Sequence, residues 1–162
     1  MLGEKLSFLF ENRDTVWFQI QEVLRLGEAV NPREIQEVID EYNTLIPEHN
    51  QLSATMFIEL TEYSQTREEL AKLRGIEREV YLELGVDFKI QGRRADEGQT
   101  EERAGSIYFL KFDLSPDQLR AFAGRADAWL ALEHHHYRVS TRITDQLREE
   151  LKKVLTMSCF PR

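Results

Sequence analysis

Glu11, Asn12, Arg13 and Asp14 place two carboxylates, an amide and a guanidinium in four consecutive positions, and Gln19, Gln21 and Glu22 follow on the next turns. Such a strip could line a polar pocket or a partner surface where a strand passes into a helix, because the backbone N–H groups there are free. Half of the tetrad has a purely structural reason. Asn12 is a good N-cap, and Asp14 falls in the first helical turn, where the helix dipole favours an acid. Glu11 and Arg13 have no such reason, and they carry the functional reading.

The histidines form a second constellation. His134 and His136 stand two apart in "EHHH"; on a strand they would project to one face and could hold a metal, with a carboxylate as third ligand. A polar hairpin tip accounts for the same residues without a metal. Glu37, Asp40 and Glu41 suggest a di-iron helix, but the Glu-x-x-His signature of such bundles is missing and a solvated helix face explains the acids. "GRRADEG" has its glycines at the wrong spacing for a phosphate loop and no Lys-Ser or Lys-Thr pair, so nucleotide binding of the P-loop or Rossmann type is not indicated. Cys159 lies near the C-terminus before "FPR" and reads as a bystander; one thiol also excludes an intramolecular disulfide or a cysteine-only metal site.

These residues must be positioned by elements that the hydrophobic pattern reveals. Leu6, Phe8 and Phe10 alternate as a short strand, and Val16, Ile20, Val23 and Leu24 recur at helical spacing, so Arg13 to Leu26 reads as a helix stopped by Gly27. Asn31, Pro32 and Glu34 open a second helix that runs to Pro47, making a helical hairpin. "SATMFIEL" alternates as a strand, half buried or better, and "TREELAKLRG" reads as a short helix with a capping box from Thr66 to Glu69. Val80, Leu82 and Leu84, then Val86, Phe88 and Ile90, alternate around Gly85 as a hairpin. "QGRRADEGQTEERAG" lacks either period and reads as a mobile surface loop. "SIYFLKF" is apolar on both faces and suits a central strand. Ser115, Pro116 and Gln118 then open a helix ended by Gly124. A last hairpin turns at "EHHH", and a terminal helix starts at Asp145. Paired strands and consecutive helices predict the α+β class: an antiparallel β-sheet, an N-terminal helical hairpin and further helices packed mainly on one face.

Composition bounds the partners. The 162 residues, 41% hydrophobic and 31% charged, suffice for one domain with a core. A net charge of -8 with no basic stripe argues against nucleic acid. No apolar run approaches the roughly 18 to 20 residues of a membrane span, and the N-terminus lacks an export signal, so the expected location is the cytoplasm.

"LFENRDTVWFQIQEVLR", the acidic helix ending "EYNTLIP" and "LSATMFIEL" together closely resemble the bacterial family known as domain of unknown function 3501. "YFLKFDLSPDQ" and "LEHHHYR" are similar to family patterns too, so the resemblance spans essentially the whole chain. Family members usually carry a further N-terminal segment ahead of the first strand, whereas this chain starts at that strand. The resemblance also implies an accessory role in redox or peroxide metabolism, since members are often encoded beside rubrerythrin-like and iron-sulfur oxidoreductase proteins. Carried over by residue, the family pattern marks Glu11, Asn12, Arg13, Asp14, Gln19, Gln21, Glu22, Tyr42, Asn43 and Glu59 as ligand- or partner-binding. No iron-sulfur or haem ligand set is present, so no cofactor is expected in this chain and any redox centre would belong to a partner.

Three functions follow as expectations. The first is a non-catalytic binding or accessory module that docks on a redox protein through the strip from Glu11 to Glu22. The second is a small-molecule or metal-dependent enzyme whose pocket uses Glu11, Arg13, Tyr42 and Glu59, with His134 or His136 adjacent; it requires those residues to converge. The third is homodimerisation, because Trp17, Phe18, Phe109, Phe112 and Trp129 give more aromatic surface than one small sheet must bury.

Overall fold

The fold is that of a computed structural model, which describes residues 1–27, 30–59, 66–95, 106–124 and 126–157. β1 (Leu6–Phe10) enters α1 (Arg13–Arg25) through Asn12. The Asn12 side chain accepts from the backbone N–H groups of Asp14 and Thr15 at 2.8 and 2.9 Å, and the Thr15 hydroxyl accepts from the Asn12 N–H at 2.9 Å. Two orphan donors of the helix start are thereby satisfied reciprocally. At the other end Gly27, with φ of 74°, takes the left-handed conformation that closes many helices.

α2 (Pro32–Asn43) begins with the predicted Asn31 and Glu34 box but stops before Pro47. Its last backbone bonds tighten: Thr44 donates to Glu41, Leu45 to Tyr42 and Ile46 to Asn43, each spanning three residues. Ile46 precedes a proline, which disfavours helical backbone there.

The strands divide between two sheets, a division that hairpin patterns alone do not reveal. β2 (Gln51–Ile58), β5 (Arg93–Arg94) and β6 (Ile107–Asp113) join β1 in the order β1-β2-β6-β5. β3 (Val80–Leu84), β4 (Phe88–Gln91), β7 (Ala128–His134) and β8 (Tyr137–Arg142) form the second sheet in the order β4-β3-β7-β8. Every pairing is antiparallel, and with α3 (Thr66–Lys72), α4 (Pro116–Ala123) and α5 (Asp145–Met157) the class is α+β. The apolar "SIYFLKF" segment is indeed an inner strand. Val86, expected to continue the β4 alternation, instead lies in the turn and is fully exposed, because pairing Leu84 with Phe88 leaves Gly85 to Asp87 as the connection.

Strand alternation explains how the two faces of the first sheet are used. Leu52, Ala54, Met56 and Ile58 of β2 share one buried cluster with Leu110 and Phe112 of β6 and with Val80, Leu82, Leu130 and Leu132 of the second sheet. The opposite face of β2, carrying Ser53 and Thr55, is buried as well. Over that face the α1–α2 hairpin packs Val16, Ile20 and Leu45 with Phe109 of β6. α4 and α5 add Phe122, Leu151 and Leu155 to the larger cluster.

Arg148 fastens α5 to the end of α4. Its buried guanidinium donates to the carbonyls of Phe122 at 2.7 Å, Ala126 at 2.5 Å and Ala121 at 3.1 Å. These are the last carbonyls of a helix and its exit, which lack intrahelical donors. Arg148→Met should cost on the order of 3 kcal/mol in urea denaturation, because three carbonyls lose charge-assisted bonds in a buried site. Arg148→Lys should recover only part of that loss, since an ammonium cannot reproduce the planar fork; full recovery would show that charge alone matters.

Candidate functional site

The strip from Glu11 to Glu22 is divided among three environments by the helix it sits on. Glu11 turns inward and is only 1% exposed. Its backbone N–H donates to Ser53 at 2.7 Å. Its carboxylate accepts from the Gln19 amide at 2.9 Å, from the Thr15 hydroxyl at 2.5 Å, and from the Thr55 hydroxyl. These partners are all neutral, and Arg13 points to solvent, so Glu11 and Arg13 do not face each other inside the fold. Gln19 has the same structural role from the helix side.

Asn12, Arg13 and Asp14 face a second environment. They line an open cleft of ≈ 600 Å³ between the start of α1, the segment Ile46 to His49, and Leu147, Leu151 and Val154 of α5. Its floor is apolar, and its rim carries both signs of charge, with Glu150 and Lys153 already paired at 2.8 Å. α5 lies too far along the chain for any local motif to announce its part in this cleft.

The third environment is solvent. Trp17 and Phe18 are 64% and 63% exposed, and Gln21 is exposed beside them. At 100° per residue, Phe18 lies opposite the buried Val16 and Ile20, while Trp17 and Gln21 flank that stripe on one side. Glu22 is held by Arg25 at 2.8 Å, and that hydrogen bond lowers the Glu22 pKa. The aromatic pair belongs to the aromatics expected to exceed what one small sheet buries, and its position off the apolar stripe is the visible signal. Of the other aromatics expected to be surplus, Phe112 is fully buried and Phe109 packs under the helical hairpin, while Trp129 is partly exposed.

The remaining family-marked residues scatter. Tyr42 packs against the Val16 cluster, and Asn43 is exposed at the end of α2. Glu59 lies at the opposite end of β1 from Glu11: its N–H donates to Lys5 at 2.8 Å, and its exposed carboxylate accepts from Ser7. The six-residue separation from Ser53, where Glu11 is anchored, is roughly 20 Å of strand. The pocket expected from Glu11, Arg13, Tyr42 and Glu59 therefore does not form.

The expected strand face bearing His134 and His136 does not form either. His134 ends β7, whereas His135 and His136 are the exposed turn into β8. His134 is 3% exposed. Its Nε2 lies 3.2 Å from the Arg74 carbonyl, which can only accept, so Nε2 carries the proton and Nδ1 accepts from the His136 N–H at 3.4 Å. Both ring nitrogens thus have protein partners. Among the described residues no group of three or more His, Cys, Asp or Glu is arranged to hold a metal ion. Cys159, most of the glycine-rich loop and the Thr66 side chain lie outside the described residues.

Two outcomes test these roles. Glu11→Ala should destabilise the protein by about 2–4 kcal/mol in chemical denaturation, because the buried Thr55 hydroxyl and the Gln19 amide lose their acceptor; Glu11→Gln should cost less. His134 titrates below its ordinary value because of burial first and the neighbouring His135 second. Below about pH 6.5 the unfolded chain therefore binds the proton that the folded chain refuses, and stability falls with pH. Denaturation midpoints between pH 7.5 and 5.5 should fall more for the wild type than for His134→Gln; parallel losses would assign the effect elsewhere.

Comparison with known proteins places this geometry in a family. No curated protein matches the chain. A crystal structure of a novel protein of unknown function from Burkholderia pseudomallei is similar over 96% of this chain and 82% of that one, at 29% identity and a TM-score of 0.88. The family model for protein of unknown function DUF3501 matches residues 1–155. The chain belongs to the DUF3501 family.

Proposed function

We propose that this protein is a non-catalytic binding module that docks on a partner protein of a redox or oxidative-stress system through the outer face of α1. The carrying observation is the pair Trp17 and Phe18, both more than three-fifths exposed on a helix whose Val16 and Ile20 are buried in the hairpin cluster. Large aromatics and arginine dominate the energetic centres of protein interfaces, and here Arg13 lies on the adjoining turn. Exposing two aromatic side chains contributes nothing to folding, which favours a binding role for them. The charge of -8 suits a partner with a basic face. The redox setting is supported by the gene neighbours that the family resemblance implies.

Arg13 and Asp14 join this face to the cleft, so the contact extends from the aromatic pair into the groove beside α5. Within the strip, Glu11 and Gln19 hold the helix in place, while Arg13, Asp14 and Gln21 meet the partner.

Co-expression with the neighbouring redox genes and affinity purification tests the proposal. Trp17→Ala combined with Phe18→Ser should leave stability within about 0.5 kcal/mol, since both are surface positions, and abolish co-purification of the partner. Retention of the partner at full yield would remove this face from the contact. Sedimentation at micromolar concentration separates the alternative occupant, a second copy: a dimer that the double substitution dissolves would reassign the face to self-association.

A further inference from the structure

Five of the six lysines are neutralised by a carboxylate: Lys5 and Lys72 by Glu69 at 2.8 and 3.0 Å, Lys89 by Glu133 at 2.6 Å, Lys152 by Glu149 at 2.7 Å and Lys153 by Glu150 at 2.8 Å. Lys111 differs. It is 8% exposed in the middle of β6, and among the described residues no carboxylate stands within ion-pair distance of it. Its register partners are Ser53 on β2 and Arg93 on β5. Residues directly opposite in antiparallel strands share a face, so a hydroxyl, an ammonium and a guanidinium form a row across three strands. That is the face from which Thr55 reaches Glu11, covered by the helical hairpin.

Ser53 supplies the second, independent observation. Its Oγ is buried and, among the described residues, has no hydrogen-bond partner. Leaving such a group unsatisfied is costly, and native proteins rarely do so without a purpose. The acids near Lys111 do not offset it closely. Asp113 is engaged by Arg93 and by Gln51, each at 2.6 Å, and Glu48 approaches from the α2–β2 connection without forming an ion pair with Lys111.

We infer that Lys111 is a nucleophilic amine that captures a small aldehyde as a Schiff base, with the Ser53 hydroxyl donating to the carbonyl oxygen. The Nζ lone pair attacks the carbonyl carbon, and the carbonyl oxygen takes up the amine proton to give a carbinolamine. Loss of the hydroxyl as water, with the second amine proton, leaves the imine. The step consumes one amine and one aldehyde and releases one water, with no change in oxidation state. A neutral amine is required, and the surroundings favour it: burial first lowers the Lys111 pKa and Arg93 lowers it further, against Glu48 and Asp113. Lys5 and Lys89 are shifted the other way, chiefly by hydrogen bonds to their partner carboxylates.

Reductive trapping of the full chain tests the inference: propanal with cyanoborohydride near pH 7, followed by peptide mass mapping of all six lysines. Lys111 should be alkylated at least about threefold faster than any other lysine, as a desolvated, uncompensated amine should be. Ser53→Ala should slow Lys111 alone, and unchanged rates at the other five would show that the fold is intact. Lys111 reacting no faster than Lys5 or Lys153 would overturn the proposal. Because the rate comparison is made within the wild-type chain, it does not depend on whether Lys111→Met folds.

Discussion

The rest of the structure depends on one buried carboxylate. The chain leaves β1 at Phe10 and must turn at once into a helix lying across the sheet it has just left. Glu11 makes that turn specific by binding its own helix through Thr15 and Gln19 and the neighbouring strand through Thr55. A desolvated carboxylate is tolerable only when its lone pairs are filled, and here neutral donors do so without a buried counter-ion. The α1 orientation follows from that knot. Val16 and Ile20 meet Phe109, and the adjacent Trp17 and Phe18 are left pointing outward.

The two faces of the first sheet have different characters for the same reason. Between the sheets, apolar residues of β2, β3, β6 and β7 fill a continuous core with no need for directional bonds. Beneath the helical hairpin the buried face carries polar side chains as well as apolar ones. Ser53, Thr55, Gln51, Lys111 and Asp113 all lie on that side, some tied together and some not. The candidate features gather on this side of the sheet: the cleft at the start of α1, the exposed aromatic pair and Lys111 adjoin the hairpin or its connections.

Arg148 and His134 show that polarity in a core need not mean function. Arg148 lies in the first turn of α5 and His134 ends β7, and each hydrogen-bonds backbone groups near the ends of neighbouring elements: the carbonyls at the exit of α4 for Arg148, the Arg74 carbonyl and the His136 N–H for His134. Their energetic role is to close helix and hairpin ends. Lys111 and Ser53 are distinguished from them by lacking such partners among the described residues, and that lack, not burial, makes them candidates for chemistry.

Much of the fold is legible in the residues themselves. Local chemistry determined where helices begin, because caps such as Asn12, Asn31 and Ser115 act within a few residues of chain, and alternation marked β1, β2 and β8 as strands, although β2 is buried on both faces. It also identified Asn12 and Asp14 as parts of a helix entrance. The sequence could not decide what Glu11 and Arg13 do. One turns to Thr55, forty-four residues on, and the other opens on a cleft whose far wall is α5. Nor could it separate one sheet from two, or detect that Lys111, among the described residues, lacks the carboxylate every other lysine has. Those outcomes depend on contacts between segments distant in the chain, and only tertiary packing sets such distances.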